Sequence, residues 1–305
     1  MGTKLLKGET IAGPRKGITI EEIEKNLEDL PRVKSEREAK KAEEVIEGLD
    51  FNFGGKEGDK SKMLIVPRDC DKVTIRRCWF RNKANEDPAL VIASKNVVVE
   101  ECIFENMTGG DAREAIRIAY DGRDSGVLLN CRVTRCVFRN NSGDDEIISI
   151  KSTGNTIEDC FFINNDGNVT VRHGGSTEIH HNYFKGNNGV RIHGYGNLVE
   201  YNYFEDNKSD TEDKENMRCP ISVWWGDKDY DPNWIPDDKE GEKASRPSDK
   251  FDMSGEGTHS MYARAVGTVI RGNRFKNCKN TIVDSFRRKD AHDKEPFRTI
   301  EEDNM

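Results

Sequence analysis

The sequence contains no stretch of roughly 18 or more apolar residues, so no segment reads as a membrane-spanning helix. Its opening, MGTKLLKGETIAGP, lacks the apolar stretch of a secretion signal. A soluble protein is expected, and a secreted or periplasmic location would require a leader that has been removed. Apolar residues are scarce, at 34% of 305 residues against 34% charged. That excludes a compact globule with a thick interior and favours a thin, elongated solenoid. There is no excess of basic residues either: 48 Lys and Arg stand against 56 Asp and Glu, for a net charge of −8. Such a chain is no nucleic-acid coat, although a local basic groove could still hold a polyanion. The eight cysteines show no zinc-ligand spacing. The glycines of HGG and GYGN lack the strand-to-helix setting of a phosphate loop and read as tight corners.

What is present is a repeat. VTIRRCWF (73–80), VVVEECIF (97–104), CRVTRCVF (131–138), NTIEDCFF (155–162), TEIHHNYF (177–184), NLVEYNYF (197–204) and TVIRGNRF (268–275) share one pattern. Their closing phenylalanines lie 24, 34, 24, 22, 20 and 71 residues apart, a period of about 22 with insertions, which is one coil of a β-helix. Two positions before each phenylalanine stand Cys78, Cys102, Cys136, Cys160, Asn182, Asn202 and Asn273. This reads as a buried cysteine stack passing into an asparagine ladder, in preference to disulfides.

A second apolar strand follows most copies: ALVIA, EAIRIA, EIISIK, NVTVRH, GVRIHG and PISVWW. The expected fold is all-β, a single-stranded right-handed parallel β-helix with an N-terminal α-helical cap. Residues 1–60 read as the cap region, with helices over ITIEEIEKNLEDL and SEREAKKAEEVIEGL, each opened by a capping box (Thr19 with Glu22, Ser35 with Glu38) that would close the open end of the solenoid. Residues 61–286 read as the catalytic β-helix, with 205–262 a long insertion, and 287–305 as a frayed tail.

Aligning coils on the second strand sets EAIRIA over EIISIK, and EIISIK over GNVTVR. Glu114 then lies one coil from Glu146, and Lys151 one coil from Arg172. Adjacent strands are about 4.8 Å apart, so each pair sets like charges side by side, at up to about 3.5 kcal/mol for an effective dielectric of about 20. Something must offset both. Glu114, Asp144 and Glu146 make an all-oxygen cluster suited to Ca²⁺, with a solvated acidic turn as the plainer alternative. Arg172 should draw the Lys151 amine toward neutrality, making it a general base. Arg117, His173, Arg191 and His193 extend a basic strip along neighbouring coils, a fit for an acidic polysaccharide. Tyr195 follows the strip, where a sugar contact and a structural place are equally open. Of Trp224 and Trp225, alternation turns one outward, though packing is the expected place of both.

This combination suits β-elimination. The C5 proton of a uronate becomes removable when a cation neutralises the adjacent carboxylate, Lys151 takes that proton, and Arg172 assists departure of O4. The rivals are C5 epimerisation on the same scaffold and a non-catalytic carbohydrate-binding solenoid. No nucleic-acid or membrane partner is expected, and the protein should be a monomer.

The run DDEIISIKSTGNTIEDCFFINNDGNVTVRHGG, with EAIRIA before it and GVRIHGYGNLVEYNYFEDN after it, resembles polysaccharide lyase family six, which includes alginate lyases and chondroitinase B. The resemblance covers about residues 70 to 285. It implies a right-handed parallel β-helix that binds calcium, with Lys151 as Brønsted base, Arg172 as acid, Glu146 as a calcium ligand, and His173 and Arg191 lining substrate subsites. Alginate is the substrate it points to first, and dermatan sulfate the next. Two positions depart from the family pattern: Asp144 stands where Glu is common, and Glu114 where Asn is common.

Overall fold

The computed structural model describes residues 12–53, 60–84, 86–108, 113–120, 126–143, 145–186, 188–208, 219–224, 265–286 and 298–305. Its strands are short, mostly two to five residues. A single strand of this length buries only one or two side chains and cannot stand alone. Stacking supplies what it lacks: each strand pairs in parallel with its counterpart one coil away, building three sheets of nine strands each. The result is the expected right-handed parallel β-helix, the hand following from the twist of strands joined by crossovers.

One inward residue per coil forms a continuous column. Phe51, Phe80, Phe104, Phe138, Phe162, Phe184, Phe204 and Phe275 stack with ring centroids 4.6 to 5.3 Å apart, nearly parallel. The corner before this sheet explains the cysteines and asparagines. There the chain turns through one left-handed residue, such as Arg77 (φ 51°), Glu101 (53°), Arg135 (51°) or His181 (56°). That conformation costs about 1 kcal/mol for a residue with a Cβ. The next side chain points inward and offsets the cost through hydrogen bonds: the Cys102 and Cys136 thiols each reach the carbonyl two residues back at 3.3 Å. The ladder then changes chemistry. Backbone N–H groups of Cys160, Asn182, Asn202 and Asn273 donate to Oδ1 of Asn182, Asn202, Asn273 and Asn304 at 3.0 to 3.1 Å. All eight cysteines are free thiols, so the stack holds no disulfide.

Three expectations are corrected at the ends. No helix forms over residues 35–49: Arg37–Glu38 and Val45–Glu47 belong with Arg32–Val33 to the first coil, and Asp50–Phe51 opens the second. EVIEGLDF (44–51) is a repeat copy in disguise, with Leu49 in the cysteine position and Phe51 at the head of the ring column. Helix propensity in this Glu- and Lys-rich stretch loses to pairing with the exposed edge of the next coil. The helix Ile20–Lys25 does form, with the Thr19 side chain accepting from the Glu22 N–H at 3.2 Å. It does not close the solenoid end, however. Ile23 and Leu27 pack against the outward side chains of Ile103, Val137 and Phe161, along the flank of the phenylalanine-bearing sheet. Upstream, Arg15 Nε donates to Asp159 at 2.7 Å and Gly13 N to the Tyr201 carbonyl at 2.7 Å, pinning the segment there. Finally, the tail ends in order: Ile300–Glu302 pairs with Val269–Arg271, and Asn304 prolongs the ladder. Of the long insertion, residues 209–218 and 225–264 lie outside the described residues.

Candidate active site

The site is built on the sheet that carries Ile116–Ile118, Glu146–Ile150, Asn168–Val171, Gly189–Ile192 and Ile221–Trp224. Ile118, Ile150, Val171, Ile192 and Val223 are in register and all are fully buried in the core. Because side chains alternate, their neighbours face outward in two rows. Arg117, Ser149, Thr170, Arg191 and Ser222 form one row. One residue further along the same register come Lys151, Arg172, His193 and Trp224. A register shift between Glu146 and Ile148 makes room for an extra residue, Ile147, and sets Glu146 opposite Asn168.

The stacking therefore joins Glu114 to Glu146 and Lys151 to Arg172, in neighbouring coils as expected. How the like charges coexist differs from expectation. Arg117 grips Glu114 with both arms of its guanidinium, at 2.9 and 2.7 Å. Arg191 pairs with Glu146, and Arg172 Nη1 lies 3.8 Å from the same carboxylate. Carboxylates and cations interleave between coils, so each carboxylate gains cationic partners, while the Lys151 amine keeps a net penalty. Burial pushes the Glu146 carboxyl up, but Arg172, Arg191, the Ser149 hydroxyl and Lys151 outweigh it and hold it below its ordinary value. Ser149 escaped the sequence reading, although the alternation of EIISIK already placed it on the outward face.

Lys151 is only 8% exposed. Its amine is pulled down from 10.5 to about 8. Burial is the largest cause, followed by Arg117 and then Arg172, against the opposing pull of Glu114 and Glu146. The direction is the expected one; the leading cause is desolvation, with Arg172 only third.

The remaining strip divides. Arg191 keeps one face over the Trp224 ring, 5.2 Å from its centroid. His193 packs against Trp224, with centroids 5.1 Å apart, and has 0% exposure. Its row faces outward, and the ring lies enclosed beside Trp224. His173 is half-buried at the turn after Arg172, its N–H bonded to the Ile150 carbonyl at 3.1 Å. Tyr195 reaches back across Gly175, where an added Cβ would stand 2.4 Å from the ring, and brings its hydroxyl 3.5 Å from Thr153 Oγ1. Asp144 and Trp225 lie outside the described residues.

The chondroitinase B family model matches residues 36–230, more than half of the chain. The chain belongs to the chondroitinase B family. Solved polysaccharide lyases share its fold. One is a mannuronic acid specific family 6 lyase from human gut microbiota, with a TM-score of 0.52 and 20% identity over 81% of this chain and 58% of that one. Another is the alginate lyase AlyF-OU02 in complex with G6, with a TM-score of 0.59 and 15% identity over 94% of this chain and 77% of that one. A third is a family 6 alginate lyase in complex with a trisaccharide, with a TM-score of 0.50 and 15% identity over 88% and 70%. The chain thus spans less than two thirds of the length of the first. No curated protein matches the sequence.

For a member of the chondroitinase B family, calcium is the ion to test against these side chains. Among the described residues no group of three or more His, Cys, Asp or Glu side chains could hold a metal. Glu114 and Glu146, 2% and 3% exposed in adjacent coils, are nevertheless hard oxygen donors of the kind calcium takes. They suit the ion in type, and they share their oxygens with Arg117 and Arg191.

Proposed function

We propose that this family member cleaves a uronate-containing polysaccharide, alginate first, by β-elimination. The observation that carries the reading is the buried amine of Lys151, drawn down to about 8 one coil from Arg172. In its neutral form the amine accepts the C5 proton of the sugar. As the C5–H and C4–O4 bonds break, a C4–C5 double bond forms, and O4 leaves with a proton relayed through water. Arg172 steadies the charge developing on O4; its guanidinium donates hydrogen bonds without itself losing a proton. Arg117 and Arg191 hold sugar carboxylates, and His173 and Tyr195 contribute contacts at the groove edge. A calcium ion held by Glu114, Asp144 and Glu146 would neutralise the carboxylate beside the reacting carbon.

Alginate is favoured because lyases acting on it or on mannuronate are among the structural neighbours. Dermatan sulfate is the second reading, favoured by the matching family model. Incubation with polymannuronate, polyguluronate and dermatan sulfate tests both: ultraviolet absorbance of an unsaturated uronate should rise on one of the first two. A rise on dermatan sulfate alone transfers the assignment to that polymer, and no rise on any of the three removes lyase activity.

The base also sets the pH profile. Because only the neutral amine works, the rate should climb about tenfold per pH unit below pH 8 and level off above it. A rate already at its plateau at pH 6 would exclude Lys151 as the base.

A further inference from the structure

We propose that Arg117 and a divalent cation compete for the carboxylate of Glu114, so that Arg117 sets the affinity of the cation site. The inference rests on the calcium part of the reading above and assigns Arg117 a task that reading does not include. Glu114 is 2% exposed, and both of its oxygens accept from one guanidinium: Nε to Oε1 at 2.9 Å and Nη2 to Oε2 at 2.7 Å. A bidentate fork of this kind is among the strongest side-chain pairings, and a partner three residues away is held close by the chain itself. A cation drawing on either oxygen meets a fixed positive charge at contact distance. The surroundings sharpen the conflict: Lys151, Arg172 and Arg191 all act on the neighbouring Glu146, so four cations face two described carboxylates.

The competition has a purpose. Arg117 belongs to the outward row with Ser149, Thr170 and Arg191, and once released from Glu114 it stays on the face where a sugar carboxylate must be held. Cation binding at Glu114 and carboxylate binding by Arg117 then favour one another, a coupling written into a single ion pair. Arg117 is a tuning residue for the cation and a contact for the substrate in turn.

The test is calorimetric titration of Ca²⁺ into chelator-treated protein near neutral pH, comparing wild type, Arg117→Gln, Arg117→Lys and Glu114→Gln. Arg117→Gln should bind Ca²⁺ about tenfold tighter or more, and Arg117→Lys, which keeps the charge but loses the fork, by a smaller factor. Glu114→Gln should lose binding. Should Arg117→Gln fail to unfold cooperatively, the Arg117→Lys comparison carries the same sign. Equal or weaker Ca²⁺ affinity in folded Arg117 variants overturns the competition and leaves the calcium site standing. No Ca²⁺ binding by wild type or by any variant overturns the competition together with the calcium part of the reading.

Discussion

Replacing Lys151 by methionine is expected to lower turnover by about 10³-fold or more while raising the unfolding temperature at neutral pH. Both effects follow from one fact. The amine is 8% exposed and is pulled down from 10.5 to about 8, so the folded protein binds its proton less tightly than the unfolded chain does. Below pH 8 the lysine is charged in both states and folding carries the whole penalty; between 8 and 10.5 the penalty fades; above 10.5 it is gone. A depression of that size corresponds to about 3 kcal/mol, a net figure in which the attraction of Glu114 and Glu146 is already included. Methionine fills similar volume without a charge, so the variant should melt a few degrees higher near pH 7, with the gap closing as the pH nears 11. Lysine is kept here against stability, the pattern expected of a group retained for chemistry. Turnover within tenfold of wild type would move the base elsewhere. A variant that melts lower near pH 7 would mean that Lys151 is net favourable in its place.

The other large effect lies in the ladder. Asn202 Oδ1 accepts from both the backbone and the side-chain nitrogen of Asn182 at 3.0 Å, while its Nδ2 donates to the Ile179 carbonyl at 2.9 Å and to Asn273 Oδ1 at 3.0 Å. The residue has no exposure, so Asn202→Ala strands partners on the coils to either side with no water to replace the amide. A loss of about 3 to 5 kcal/mol is expected, measured by urea unfolding. Cys136→Ala should cost much less, about 1 kcal/mol, because the thiol is a weak donor and leaves only a small void. Equal losses at the two positions would show that the ladder works by packing alone.

Most repeat copies are legible in the sequence because their columns face inward, where only a narrow range of side chains fits. Two copies are not. In EVIEGLDF the ladder position holds Leu49, and the surrounding Glu and Lys imitate a helix; in TIEEDNM the closing phenylalanine is absent, and only the spacing from Thr299 to Asn304 matches that from Thr268 to Asn273. A pattern read from identities weakens where stacking, more than composition, decides the conformation.

The site divides along the same line. Local sequence was enough to set Lys151 beside Arg172 and Glu114 beside Glu146, because a slip of one residue would turn every core side chain out to solvent, so the inward isoleucines and valines dictate the register. Which charges pair, and which groups are covered, was decided only by the tertiary structure. Arg191 reaches past its own coil to Glu146, Arg117 turns back onto Glu114, and His193 packs beside Trp224. Long side chains span more than one strand spacing, so their partners depend on the packed surface and not on the period of the chain. The depressed amine of Lys151 belongs to that second category: its neighbour was foreseen, and its burial, the larger cause, was supplied by the fold.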